Sequence, residues 1–489
     1  MEATRRKQLG AYYTPDDVVR SLVSWAARSS DDRMLDPSCG DGRFLVEHDN
    51  SVGVEQDPLA AAVVHERVPG CLLHEGDFFS WASGTHERFE CAAGNPPFIR
   101  YQRFTGAIRD AARRLCAAHG AEFSALSSSW APFIVATATL LKPGGRMAFV
   151  VPAEIGHAPY AKPVLDYMTE NFRRVQIVAV RDKLFPDLSE DCWLLYAEGF
   201  GESTDRVLFS PIERFSYMSR PPAPSRSIAV AVDELHNWGG RLRPFLMPAE
   251  SREAYRILAH EGIRLGDVAR VGIGYVTGAN DFFHLRPSEA ERWRIPKQNL
   301  LPAVRNGKTL SRGRITSEEV ERWQVNGERV LLLRIKRGER PNRDIAKYLN
   351  SPAGEEAREA YKCRMRDPWY SVPDVTVPDA FLSYMSGRGP ALVENSAGCV
   401  GTNSVHVVRL TGKMKRRELA RSWASPLTEL SCEVEGHPLG GGMLKVEPRE
   451  ASRILIHGTG TLKEFAEPVQ EGIRALRRWR HYGEDSGQV

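Results

Sequence analysis

Residues 33–45, Arg33-Met34-Leu35-Asp36-Pro37-Ser38-Cys39-Gly40-Asp41-Gly42-Arg43-Phe44-Leu45, decide the fold class. A short apolar run ends at a glycine-rich turn and restarts as a helical pattern, which reads as a buried strand feeding a helix. The same alternation continues outward to about Phe200. Candidate strands are Arg33 to Leu35, Ser51 to Val54, Leu72 to Gly76, Phe89 to Ala93, Arg146 to Val151, Val175 to Val180 and Trp193 to Ala197. Such a series predicts an α/β domain built on a mostly parallel sheet with helices on both faces. Upstream, Thr14-Pro15-Asp16-Asp17 predicts a helix from Pro15 to about Ala27, with Thr14 as N-cap, proline at the first helical position and two acids facing the helix dipole.

At 489 residues the chain exceeds one usual domain, so at least two compact units are expected. Its 42% apolar and 26% charged residues belong to an ordinary globular protein and give no reason to expect extensive disorder. Charge is unevenly spread: residues 1–200 hold 21 basic and 26 acidic side chains, the remainder 45 and 36. A basic second part beside an acidic first suits a phosphate-contacting module joined to a small-molecule domain, although a solvated surface shows the same bias. The eight cysteines include no CxxC pair and none has a histidine at metal-ligand spacing, so buried thiols and no metal are expected. With no signal-peptide run and no apolar stretch long enough for a membrane span, a cytoplasmic protein is expected. Beyond Phe200 the pattern weakens, and Arg220-Pro221-Pro222-Ala223-Pro224-Ser225 reads as a connector, placing the domain boundary near residues 205–230.

Residues 35–45 sit where a first strand turns into a helix, the place where such sheets bind small ligands. The loop lacks the third glycine of the dinucleotide fingerprint, which disfavours a nicotinamide or flavin enzyme. Glu55 follows the second strand and can accept bonds from both hydroxyls of a ribose. Asp77 and Phe78 end the third, where they could read the amino group and the face of an adenine. Each acid also fits a plain helix cap. Three such positions ending three successive strands favour one shared nucleoside ligand.

Ala92-Ala93-Gly94-Asn95-Pro96-Pro97-Phe98 ends a fourth strand. Asn-Pro-Pro-aromatic resembles the motif of methyltransferases that act on planar amino groups: adenine N6, cytosine N4 and glutamine amides. The order of elements resembles the gamma-class S-adenosylmethionine-dependent adenine-N6 methyltransferases of type II restriction-modification systems. The resemblance covers nearly all of residues 8–200 and extends to Gly10-Ala11-Tyr12-Tyr13-Thr14-Pro15, to Ser129-Trp130-Ala131-Pro132-Phe133 ahead of Leu141-Lys142-Pro143-Gly144-Gly145, and to Leu184-Phe185-Pro186. It implies a Rossmann-like methyltransferase domain with a seven-stranded, mostly parallel sheet over residues 1–210, and a C-terminal mixed α/β target-recognition domain over residues 230–489. It implies S-adenosyl-L-methionine as cofactor, held by Tyr13, Thr14, Asp36, Ser38, Gly40, Glu55, Asp77, Phe78, Asn95 and Phe133. Asn95, Pro96, Phe98 and Phe185 are the expected catalytic group. Many relatives have tyrosine where Phe98 stands, a change that keeps stacking and loses a phenolic hydrogen bond.

An adenine amino group is a poor nucleophile because its lone pair is delocalised into the ring. The Asn95 side-chain oxygen and the Pro96 carbonyl could accept its two N–H bonds and stabilise positive charge as the methyl arrives. Phe98 would supply a face for stacking the base, and the resemblance implies that Phe185 stacks on it from the other side. An adenine in duplex DNA reaches such a pocket only by flipping out, at a cost of roughly a few kcal/mol.

Weaker resemblance to restriction-associated enzymes continues in Val271 to Asp281, Arg366-Asp367-Pro368-Trp369-Tyr370 and Gly440 to Lys445. Lys336, Arg337, Arg340, Arg343, Lys362, Arg364 and Arg366 are candidates for contacts to DNA. The loop Ile99 to Phe104 could fill the hole left by a flipped base. The expected partner is double-stranded DNA, bound by a monomer, with any restriction endonuclease a separate chain, since no nuclease or helicase motif is seen. Rival readings are a cytosine-N4 enzyme, an RNA or protein-glutamine methyltransferase, and a catalytically silent DNA-binding specificity subunit.

Overall fold

The computed structural model describes residues 14–186, 188, 190–260, 262–310, 313–457 and 463–483. They form two compact units that part between Leu246 and Met247.

The first unit is built on one sheet. Its strands are β1 (Met34–Asp36), β2 (Ser51–Glu55), β3 (Leu72–Glu75), β4 (Phe89–Gly94), β5 (Leu141–Pro152), β6 (Phe172–Val180), β7 (Cys192–Phe200), β8 (Arg206–Ile212) and β9 (Ile228–Ala231). They lie in the order β3-β2-β1-β4-β5-β7-β6-β8-β9, so the sheet has nine strands rather than the expected seven. The strands from β3 across to β5 run parallel, and β7 is antiparallel to both of its neighbours. Beyond β6 the sheet continues through a parallel β8 and an antiparallel β9. The segment expected to link domains is therefore part of the first unit. Its anchor is Gln176 on β6, whose buried amide nitrogen donates to Ser210 Oγ at 2.9 Å and to the Pro222 carbonyl at 2.8 Å. An amide buried in a sheet must find such partners, and the proline-rich segment supplies one of them.

Helices α1 (Asp16–Ala26), α2 (Arg43–Val46), α3 (Pro58–Arg67), α4 (Phe78–Gly84), α5 (Gly106–Ala118), α6 (Trp130–Ala138) and α7 (Lys162–Asn171) pack around this sheet. Helix α1 buries Val18, Val19, Leu22, Val23, Trp25 and Ala26 in a cluster with Met34, Cys91, Ala148, Val150 and Tyr196. Its acids Asp16 and Asp17 occupy the first turn, as the dipole favours. Its N-cap is Pro15, and Thr14 makes no cap; the Thr14 hydroxyl is engaged by another partner.

The second unit mixes short helices with several small sheets, the largest of five strands, at 269–273, 405–410, 380–383, 392–395 and 314–315. A helix spans Ala466–Trp479 in the arginine-rich stretch near the C-terminus. Two arginines there face inward. Arg480 is 1% exposed and holds Glu433 through two bonds of 2.9 and 2.6 Å, and Arg477 joins the same carboxylate at 3.3 Å. Their charge is spent on stabilising a buried acid, so net basicity overstates what is left to meet a polyanion. Arg366 is likewise structural: it donates to the carbonyls of Val276 and Thr277 and so ties residues 271–281 to residues 366–370. Lys336, Arg337, Arg340, Arg343, Lys362 and Arg364 are exposed. Among the described residues no helix is long and apolar enough to cross a membrane.

Candidate active site

The carboxyl ends of β1 and β4 lie side by side, with Met34 opposite Cys91 and Leu35 opposite Ala92. This is where strand order reverses, the place at which open α/β sheets hold ligands. A cavity of about 300 Å³ opens there, lined by Thr14, Asp36, Ser38, Gly40, Glu55, Asp77, Phe78, Asn95 and Phe133. Those nine are all the described members of the expected cofactor set. Tyr13, the tenth, lies outside the described residues.

Asp36 ends β1 and is 1% exposed. One of its oxygens accepts the Ser38 N–H at 3.2 Å, and the other has no partner among the described residues. Burial pushes its carboxyl up to about 8, against the help of the Ser38 N–H, and the nearby charges of Glu55 and Asp41 add to the rise. A Cβ on Gly94 would lie 2.7 Å from Asp36 Oδ1 and 3.1 Å from the Phe149 ring, so only glycine lets the two strand ends approach. Gly94→Ala is expected to cost about 1–3 kcal/mol by overpacking, read as a lower urea midpoint with an unchanged slope. An unchanged midpoint would show that the strand end yields.

The loop after β1 turns on Gly40 and Gly42, both in the left-handed region at φ +55° and +82°. Gly40 donates its N–H to Glu55 Oε2 at 2.9 Å, while Glu55 Oε1 accepts from Asp57 N at 2.7 Å. Glu55 thus closes the loop, and burial holds its carboxyl above the ordinary range. The cap reading fits Asp77, which begins α4 and accepts from Ser80 N at 2.8 Å. Phe78 and Phe133 stack on each other, centroids 4.9 Å apart and planes 16° apart, with Phe79 edge-on to Phe133 at 4.6 Å. A flat ring cannot enter between Phe78 and Phe133 and would have to lie against the pair's outer side or edge.

The Asn-Pro-Pro-Phe motif leaves β4 beside this cavity. Asn95 Nδ2 donates to Thr14 Oγ1 at 3.1 Å, which fixes the plane of the amide. The Asn95 carbonyl meets Ser38 Oγ at 3.5 Å, and the Pro97 carbonyl accepts from Ser129 Oγ. Between them the Pro96 carbonyl accepts no hydrogen bond from the described residues. Asn95 and Pro97 line the cavity; Pro96, Phe98 and Phe185 do not. Phe98 instead packs on the apolar cluster that contains Phe185, itself 6% exposed. Of the two rings expected around a base, Phe185 therefore sits in that core and Phe98 lies partly buried against it. Ser129 was missed as a site residue because it precedes a helix, where serine usually means a cap.

The lining suits a nucleoside carrying positive charge. Asp36, Glu55 and Asp77 present acid, while Phe78, Phe104, Ile108 and Phe133 offer an apolar wall. Of the basic lining residues, Arg43 and Arg67 are both paired with Asp41. Among the described residues no cluster of histidine, cysteine or acid could hold a metal ion.

Family models match three stretches of the chain. One described as N-6 DNA Methylase matches residues 2–66, the Eco57I restriction-modification methylase matches 68–185, and the C-terminal domain of the type II methyltransferase M.Eco57I matches 241–482. Type II methyltransferase M.XamI of Xanthomonas campestris pv. amaranthicola is 26% identical, over 92% of this chain and 86% of that one. M.AccI of Acinetobacter calcoaceticus is 18% identical over 94% and 87%. The fold is shared with the type IIL restriction-modification enzyme MmeI, solved in complex with DNA, at a TM-score of 0.54 and 11% identity over 100% of this chain and 78% of that one. Matched over most of its length by DNA methylase models and by type II methyltransferases, the chain is a site-specific DNA methyltransferase of the restriction-modification kind that takes its methyl group from S-adenosyl-L-methionine.

Proposed function

We propose that this chain, as a gamma-class enzyme, methylates N6 of an adenine flipped out of duplex DNA within one short target sequence. The observation that carries the reading is the state of the motif carbonyls. Those of Asn95 and Pro97 are engaged by serine hydroxyls, and that of Pro96, between them, accepts nothing from the described residues. An acceptor fixed in this way, one residue from an amide held by Thr14, suits an amino group with two N–H bonds to give.

S-adenosyl-L-methionine, when bound, supplies an electrophilic methyl group. Asp36 would meet its positively charged end, Glu55 and Asp77 its ribose and base, and Phe78 with Phe133 the apolar face of its adenine. Asn95 and Pro96 would draw on the two N–H bonds of the target amine, raising electron density on nitrogen without a strong base. Phe98 and Phe185 would bring their rings against the base after a modest movement of the loop. The second unit would carry target recognition, with the exposed Lys336, Arg337, Arg340 and Arg343 on phosphates. The enzyme would act as a monomer, with any endonuclease a separate chain.

The test is to map modified bases in the DNA of a host expressing the protein. N6-methyladenine at one fixed position of one short motif is expected. N4-methylcytosine, or no modified base, would overturn the reading.

A further inference from the structure

We propose that Ser129 is a positioning residue for methyl transfer, setting the direction of the Pro96 carbonyl. The inference rests on the function proposed above. Serine before a helix ordinarily caps it through its hydroxyl, yet Ser129, immediately ahead of α6, makes no such cap bond. Its side chain is fully buried, and its hydroxyl is spent on the catalytic loop instead. Ser129 Oγ donates to the Pro97 carbonyl and accepts the Ile99 N–H at 2.9 Å, while the Ser129 N–H donates to the Ile99 carbonyl at 3.0 Å.

Two consecutive prolines make this arrangement necessary. Neither has an N–H, so the backbone of residues 96 and 97 cannot be held by its own donors, and φ is already fixed at each. The remaining freedom is rotation about ψ, which decides where each carbonyl points. Asn95 is held on one side by Thr14 and Ser38. Ser129 holds the other side at Pro97 and again at Ile99. Between these anchors the Pro96 carbonyl has little room to turn. Phe133 donates its N–H to the Ser129 carbonyl at 3.2 Å, so the same residue also starts the helical turn that carries a cofactor-facing ring.

The experiment compares steady-state methylation of duplex DNA carrying the mapped target by wild type, Ser129→Ala, Ser129→Cys, Ser127→Ala and Asn95→Ala. Ser127 is the control: buried two positions away, its hydroxyl has no partner among the described residues, so its loss should leave kcat and KM unchanged. Ser129→Ala is expected to lower kcat by about 10- to 100-fold with the KM for S-adenosylmethionine within about threefold, because a small misdirection of a reacting group is costly while cofactor contacts remain. Ser129→Cys keeps a weak donor and acceptor of similar size and should fall between wild type and alanine. If Ser129→Ala fails to give a cooperative melt, the cysteine variant alone decides, by a lowered kcat at unchanged KM. An unchanged kcat, or a raised KM alone, overturns the inference. Near-normal turnover by Asn95→Ala would instead overturn the proposed function.

Discussion

Asn95→Ala is expected to reduce turnover on target DNA by about 10²- to 10³-fold, the usual cost of removing one preorganised group that meets charge developing in a transition state. Affinity for S-adenosylmethionine, measured by calorimetry, should stay within about threefold, since the acids and rings that line the rest of the cavity are untouched. The asymmetry is the informative part. A group that helps only as positive charge grows on the attacking nitrogen affects kcat, whereas a group that merely lines a pocket affects binding. The substitution also strips Thr14 Oγ1 of its donor, and Thr14 is 3% exposed, so a modest loss of thermal stability is expected alongside. Turnover within a few-fold of wild type would remove Asn95 from the chemistry, and with it the role given to Pro96.

Much of the first unit could be read directly from the chain because its signals are local. Strand, glycine turn and acid recur at Asp36, Glu55 and Asp77, and the structure gathers all three at one cavity. What escaped reading depends on partners distant in sequence. Thr14 looked like a cap and meets Asn95, 81 positions later. Strands β8 and β9 were hidden because prolines and polar residues interrupt the stretch around them, and they show themselves through backbone pairing of β8 with β6 and of β9 with β8. Arg477 and Arg480 add to the basic count of the second part, and no linear pattern shows that both meet Glu433. Phe98 and Phe185, expected to stack on a flipped base, meet in one apolar cluster, Phe185 buried within it and Phe98 partly buried against it. Nothing in a linear pattern says which side of a loop a ring will take.

Asp36 yields the other large effect, and its sign follows from the geometry. Buried at the end of β1, the carboxyl is pushed up to about 8, so at neutral pH the ligand-free protein mostly carries it as the neutral acid. A cofactor whose sulfonium and ammonium groups are positive should favour the ionised form, and binding should release a proton. With that starting value and an ionised bound state, affinity should tighten by about 25-fold between pH 6 and 7.5. Asp36→Asn should flatten this dependence and weaken binding at pH 7.5 by about 100-fold, the scale of a lost hydrogen bond to a charged group. Stability should move the opposite way. An acid whose folded pKa is raised holds its proton longer in the native state, so its presence costs stability as pH climbs from the ordinary carboxylate range toward 8, by up to roughly 1.4 kcal/mol per unit. Without cofactor, Asp36→Asn should therefore melt higher than wild type at pH 7.5, with the difference vanishing near pH 4. Calorimetric titrations at several buffer ionisation enthalpies would count the released proton. A pH-independent affinity in the wild type, or a variant no more stable than wild type at pH 7.5, would mean that Asp36 is already ionised and partnered in the free protein, and that the acidic end of the cavity was built for something other than a cation.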